Sequence, residues 1–139
     1  MDKELVDIIS FYTTKELYDF LKESDAFKNL LWFKNTPRKS LPKDNIGYVV
    51  MVDDLVVGAA SVYEEGDGTI FNELFEICEE YRGQGLARVL YEYIKKDTMC
   101  EMVHGFCTND KNKSFWEHMG QKCVNPETRE MIEVVYVQK

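Results

Sequence analysis

A glycine-rich turn between an extended run and a helical run constrains this chain more than any other stretch. It reads Glu80-Tyr81-Arg82-Gly83-Gln84-Gly85-Leu86-Ala87-Arg88. Thr69 to Cys78 before it reads as a strand, and Leu86 to Lys96 after it as a helix. That helix places Leu86, Val89, Leu90, Tyr93 and Ile94 on one face and Arg88, Glu92, Lys95 and Lys96 on the other. A turn of this kind aims several backbone N–H groups at one spot, at the positive end of a helix. That is a site for phosphate oxygens. The two glycines permit a tight turn and let a ligand approach with no Cβ in its way.

Other phosphate loops do not fit the turn. A nucleotide-hydrolase loop requires G-x-x-x-x-G-K-[ST], which is absent. A dinucleotide fingerprint requires G-x-G-x-x-G at the first strand of the fold. Here Gly83-x-Gly85 leads to Arg88, and more than half the chain precedes it. Arg82-x-x-Gly85-x-Ala87 resembles the (Q/R)-x-x-G-x-(G/A) motif of the GNAT superfamily of acyl-CoA-dependent N-acyltransferases. In that family the motif binds the pyrophosphate of acetyl-CoA. The resemblance therefore implies that Arg82, Gly83, Gln84, Gly85, Leu86, Ala87 and Arg88 bind cofactor.

The order of elements supports the resemblance. Leu5 to Tyr12 reads as a first strand. Thr13 or Thr14 caps the next helix, Thr13-x-x-Glu16 having capping-box spacing, and Leu17, Phe20 and Leu21 form its apolar stripe. Asp25 is expected to cap a second helix carrying Phe27, Leu30, Leu31 and Phe33. Asn35 to Asn45, with two prolines, reads as a loop. Ile46 to Val52 and Leu55 to Glu64 form a hairpin about Asp53-Asp54, and Glu65-Gly66-Asp67-Gly68 turns into the strand before the motif. Val103 to Cys107 is a further strand, Asn112 to Met119 a helix that Gly120 ends, Lys122 to Val124 a short strand and Met131 to Val137 the last one. The GNAT layout implies an α/β fold: a mixed, mostly antiparallel, twisted sheet flanked by helices, with splayed central strands. At 139 residues, one domain over 1–139 is expected.

Further site residues follow from the resemblance. In the family the strand before the motif pairs its free backbone groups with the pantetheine arm, which places those groups at Phe75, Glu76 and Ile77. An amide-bearing arm satisfies strand-edge groups that otherwise lack partners. A backbone N–H near Ile77 or Cys78 would polarise the thioester carbonyl. Asn109-x-x-Asn112-x-x-Phe115-Trp116-Glu117-x-x-Gly120 resembles the family's N-x-x-A-x-x-(F/L)-Y-x-x-x-G segment. Asn109 carries over as a CoA contact. Trp116 stands where the family's Tyr protonates the leaving thiolate, and an indole N–H is no usable acid at neutral pH. Either the thiolate leaves without a protein acid, or another Tyr serves, or the protein is a poor catalyst.

The amine that attacks must be neutral, so a general base or a water chain is expected. Two residues are candidates: Glu73, four before Ile77 and on its strand face by the period of two, and His104 on the following strand. Glu76 comes third, on the opposite face. The family pattern implies direct attack by the amine, which leaves Cys78 and Cys107 as structural thiols. The basic residues Lys34, Arg38, Lys39 and Lys43 read as a solvated loop.

Composition narrows the partners. The net charge of −8 argues against a nucleic-acid backbone binder and against a toxin-like enzyme acting on aminoacyl-tRNA. It suits a basic acceptor: an amine-bearing small molecule, a protein lysine or a protein N-terminus. No apolar run of about 18 residues is present, so no membrane span is expected. Met1-Asp2-Lys3-Glu4 does not begin a signal peptide. Cys78, Cys100, Cys107 and Cys123 form no C-x-x-C pair, so reduced, buried thiols in a cytoplasmic protein are expected, without metal or disulfide. Acetyl-CoA is the implied co-substrate. A CoA-binding module with little catalysis, acting through a protein partner, is the alternative. Many relatives are dimers, which leaves a homodimer open; the acceptor and the acyl length are not legible.

Overall fold

The structure is a computed structural model that describes residues 5–106 and 110–124, the side chains of 110–113 and 124 excepted. Its elements run β1 (Val6–Phe11), α1 (Thr14–Glu23), α2 (Leu31–Lys34), β2 (Ile46–Val52), β3 (Leu55–Gly66), β4 (Thr69–Ile77), α3 (Leu86–Thr98), β5 (Met102–Phe106), α4 (Asp110–His118) and β6 (Gln121–Val124). The expected strand at Met131 to Val137, Asn109 and Cys107 lie outside the described residues. No helix among the described residues is long and apolar enough to cross a membrane.

The six strands form one sheet in chain order. β1 to β4 pair antiparallel, and β4–β5 and β5–β6 pair parallel. Alternation sends one set of side chains to each face. Tyr48, Val50, Ala60, Phe75 and Ile77 pack with Leu86, Leu90, Tyr91 and Ile94 of α3. Val49, Ala59 and Cys78 pack on the other face with Leu17, Tyr18 and Leu21 of α1 and with Leu30 and Phe33. The mixed sheet between helical layers agrees with the fold expected from the sequence.

Local chemistry sets the boundaries. Thr13 caps α1: its hydroxyl accepts the Glu16 N–H at 3.1 Å, the first half of a capping box, and donates to the Glu16 carboxylate at 3.1 Å. Asp53 and Asp54 both have positive φ, as a two-residue hairpin turn between β2 and β3 requires.

The second helix departs from expectation. Asp25 is itself left-handed (φ 57°) and makes no side-chain cap, and a 3₁₀ turn at Ala26–Lys28 precedes a helix of only four residues. Leu30 and Phe33 are fully buried while Leu31 and Trp32 are half-exposed, so packing beneath the sheet wins over a continuous helical stripe.

Two features of β4 prepare the site. Its pairing with β5 runs from Thr69↔Met102 to Asn72↔Gly105 and stops. Four of its nine residues are paired there, and the remaining five, Glu73 to Ile77, run on past the last β5 pairing. The register with β3 also shifts: Ser61 faces Leu74 and Val62 faces Asn72, so Glu73 is an extra, bulged residue. The bulge breaks the period of two on which Glu73 was expected to share a face with Phe75 and Ile77.

The expectation of reduced thiols fails at one position. Cys123 is disulfide-bonded, whereas Cys78 and Cys100 are free. Linear spacing does not report which residues the sheet brings together, and the β5–β6 pairing sets Cys123 opposite Gly105 with α4 between them in the chain.

Candidate active site

The divergence of β4 from β5 opens a cleft of about 810 Å³. The part of β4 beyond the fork forms one wall, the start of α3 closes one end, and Phe106, Phe115, Trp116 and Met119 supply the facing apolar wall. Trp32 of α2 overhangs the mouth from the opposite face of the sheet.

At the α3 end, Gly83 and Gly85 have φ of 79° and 83°, and a Cβ on either would meet no atom within 4 Å. The first turn of the 13-residue α3 has no side-chain cap. Its first backbone bond runs from the Val89 N–H to the Gly85 carbonyl at 3.1 Å, so the N–H groups of Leu86, Ala87 and Arg88 lie ahead of the helical ladder. Arg82 and Arg88 both line the cleft here. The Arg82 Nε donates to the Ile77 carbonyl at 2.8 Å, tying the motif to the end of β4, and its guanidinium lies 5.8 Å from the Trp32 ring centre.

Along β4, Phe75 and Ile77 line the cleft and belong to the core packed against α3. Trp116 meets the Phe75 ring edge-on at 4.8 Å and lies 5.7 Å from the Tyr91 ring. The Cys78 N–H donates to the Val57 carbonyl at 2.7 Å, so this donor is already engaged and not free for a thioester. Burial pushes the Cys78 thiol up to about 11, which keeps it protonated at neutral pH.

Glu76 is 2% exposed, and its carboxylate accepts the N–H groups of Trp32 at 2.9 Å and Phe33 at 3.2 Å. Burial holds its carboxyl above the usual carboxylate range, against the opposite pull of those N–H groups and of Arg82. Its main chain was expected at the site and its carboxylate ranked third as a base; Glu76 lines the cleft, with that carboxylate bound to the start of α2.

Deep in the fork, where pairing ends, the Asn72 side chain reaches across β5 and donates to Gln121 Oε1 of β6 at 3.0 Å. Gly105 makes room for this, since a Cβ there would lie 2.3 Å from Gln121 Nε2.

Glu73, Phe75, Glu76, Ile77, Arg82, Gly83, Gly85, Leu86, Ala87, Arg88 and Trp116 all line the cleft. Gln84 does not, although it shares the turn. His104 is not brought to the cleft: it sits on the other side of β5 from Val103 and Gly105, with Nδ1 2.9 Å from the Glu65 carboxylate of β3. Trp32, Asn72 and Gln121 were missed, and no local pattern marks them. Among the described residues no cluster of His, Cys, Asp and Glu could hold a metal ion.

A family model described as acetyltransferase (GNAT) family matches residues 6–121. No curated protein matches the chain. Among solved structures, an aminoglycoside acetyltransferase from an uncultured soil metagenomic sample, in complex with sisomicin, is similar with a TM-score of 0.63 at 15% identity, over 99% of this chain and 98% of that one. An aminoglycoside N-acetyltransferase in complex with CoA gives a TM-score of 0.58 at 16% identity, over 96% and 94%. A ribosomal-protein-alanine N-acetyltransferase from Brucella melitensis gives 0.57 at 13% identity, over 96% and 99%. At such identities the likeness is one of fold.

Proposed function

This chain belongs to the GNAT acetyltransferase family, and from that premise we propose that it moves an acetyl group from acetyl-CoA to a primary amine by direct attack. One observation carries the reading: the five residues of β4 past its last β5 pairing run, within one cleft, into the uncapped start of α3. The first suits an arm bearing amides, because exposed strand-edge groups need partners. The second suits a pyrophosphate, because N–H groups and two arginines converge beside glycines that leave the space open. The residues present therefore fit CoA.

When bound, the thioester supplies the activated acetyl group. The chain's own part is mostly positioning. The N–H groups of Leu86 to Arg88, with the Arg82 and Arg88 side chains, hold the pyrophosphate. The main chain of Phe75 to Ile77 holds the arm and directs the thioester carbonyl toward the fork. Glu73, aimed by the bulge at the fork, takes the proton of the incoming ammonium. His104 faces Glu65 instead and has no part in this reading. Trp116 excludes water and donates no proton, so the thiolate leaves unaided; with a thiol pKa of about 8.5 that is tolerable. The neighbours' named substrates, aminoglycosides and a ribosomal-protein alanine, support an amine acceptor. The acidic balance of the chain suits a basic one.

Trp116 in place of a Tyr favours one second reading, a CoA-binding module with little catalysis that acts through a protein partner. Calorimetric titration with acetyl-CoA and CoA tests the shared premise, and release of free thiol over a panel of polyamines, aminoglycosides and Lys or N-terminal peptides separates the two. One-to-one binding with turnover supports the transferase. Binding without turnover on any amine supports the module. No binding overturns both.

A further inference from the structure

The cofactor end and the deep end of the cleft differ in chemistry. From the α3 start, the β4 edge runs back five residues, about 17 Å at ~3.3 Å per residue, to the fork at Asn72↔Gly105. An arm held by its phosphates at α3 and by its amides along that edge brings its acyl end to the fork. At the fork, beside the apolar Phe106, lie two buried amides.

Asn72 is 7% exposed and Gln121 1% exposed, and both line the cleft. The Asn72 amide donates to Gln121 Oε1, and Asn72 Oδ1 has no hydrogen-bond partner among the described residues. The pair is seated over Gly105, whose missing side chain is the space the Gln121 amide occupies. β5 and β6 flank it in register, with Gly105 opposite Cys123, so the floor rests on continuous sheet.

We propose that Asn72 and Gln121 form the floor of the acyl pocket and confine the donor to short acyl groups. The inference rests on the transferase reading above. Two effects act in the same direction. The amide pair fills the volume into which a longer chain would extend. It also presents a carbonyl oxygen that needs a donor, which a water beside a short acyl group supplies and an alkyl terminus does not. Displacing the pair breaks a buried amide–amide bond and leaves the Asn72 amide without a partner, which costs more than a methylene or two gains by burial.

The test is calorimetry of the full chain with CoA, acetyl-CoA, butyryl-CoA and hexanoyl-CoA. The wild type is expected to bind acetyl-CoA over hexanoyl-CoA by roughly tenfold or more, the scale on which a pocket rejects extra methylenes. Asn72→Ala is expected to erase most of that ratio while leaving the affinity for CoA itself unchanged. Asn72→Ser keeps a hydroxyl for Gln121 while removing most of the volume, and should do the same where the alanine variant fails to fold. A wild type that binds hexanoyl-CoA as well as acetyl-CoA, or a folded variant with the wild-type ratio, overturns the floor alone. A wild type that binds no CoA overturns the transferase reading and the floor with it.

Discussion

The Glu76 carboxylate accepts the backbone N–H of Trp32 at 2.9 Å, across 44 positions of sequence. A side chain of β4 thereby caps the short helix whose indole overhangs the cleft. A four-residue helix has little stability of its own, so its orientation depends on this bond, on the second bond to Phe33 and on the buried Leu30 and Phe33 side chains. Glu76→Ala removes the one oxygen that accepts both bonds and is expected to cost about 2 kcal/mol, the range for hydrogen bonds to a charged group. Trp32 lines the cleft with its ring centre 5.8 Å from the guanidinium of Arg82, a residue of the pyrophosphate end. CoA affinity should therefore fall along with a rise in the acceptor KM. Glu76→Gln keeps an oxygen for both N–H groups without the charge and should fall between wild type and alanine. Unchanged CoA affinity in a folded Glu76→Ala protein would show that Trp32 has no part in placing Arg82.

Gly85 tests the pyrophosphate end. It holds φ of 83° at the start of α3, and open space lies where its Cβ would be. Gly85→Ala therefore meets no steric neighbour and should cost about 1 kcal/mol through its left-handed backbone alone. Gly85→Glu adds a negative charge where phosphate oxygens are held and should abolish acetyl-CoA binding. Calorimetry on the two variants separates strain from charge. Wild-type affinity in a folded Gly85→Glu protein would sink the assignment.

Glu73 tests the proton path. If the bulged carboxylate takes the ammonium proton, Glu73→Gln should lower kcat at neutral pH by about a hundredfold, the lower range for general-base catalysis. CoA affinity should be unchanged. Part of the rate should return as pH rises, since the free amine of a lysine-like acceptor, with pKa about 10.4, grows tenfold per pH unit. His104→Ala should leave the rate profile as it is, because His104 points to Glu65. A flat profile in the Glu73 variant and a steep one in the His104 variant would reverse the two roles.

What could be read from the chain was local. The Thr13 cap, the Asp53-Asp54 turn, the glycine pair at 83 and 85 and the alternation of β2 and β3 are each written within a few residues. What could not be read joins distant residues. The bulge at Glu73 is a matter of register with Ser61 and Val62, and it breaks the alternation on which the faces of β4 were assigned. α2 is held by Glu76 across the sheet rather than by Asp25 beside it, so its capping signal is absent from its own neighbourhood. The Asn72–Gln121 pair spans 49 positions and depends on a glycine in a third strand. The disulfide at Cys123 follows the same rule: spacing along the chain does not measure distance across a sheet.

The core under α1 makes a prediction about alkaline stability. The Tyr18 hydroxyl donates to the Thr36 carbonyl at 2.9 Å from a position 3% exposed, and burial pushes its pKa up to about 12. In the unfolded chain the phenol ionises near 10. Between these values the folded state holds a proton that the unfolded state has lost, so stability falls as pH rises from 10 to 12. The full contribution is present below 10. A rise from 10 to about 12 corresponds to about 3 kcal/mol lost across that window. Tyr48, bonded to Asp97, and Cys78 are raised in the same direction and add to the decline, so the comparison must be made against a variant. Tyr18→Phe gives up the hydrogen bond, about 1 kcal/mol at neutral pH, and with it Tyr18's share of the alkaline slope. Urea midpoints of the two proteins from pH 8 to 12 should therefore converge and then cross as pH rises, with the wild type ahead at the start and behind at the end. Parallel declines would mean that the Tyr18 phenol ionises as readily folded as unfolded, and that its burial between α1 and the loop at Thr36 does not hold in solution.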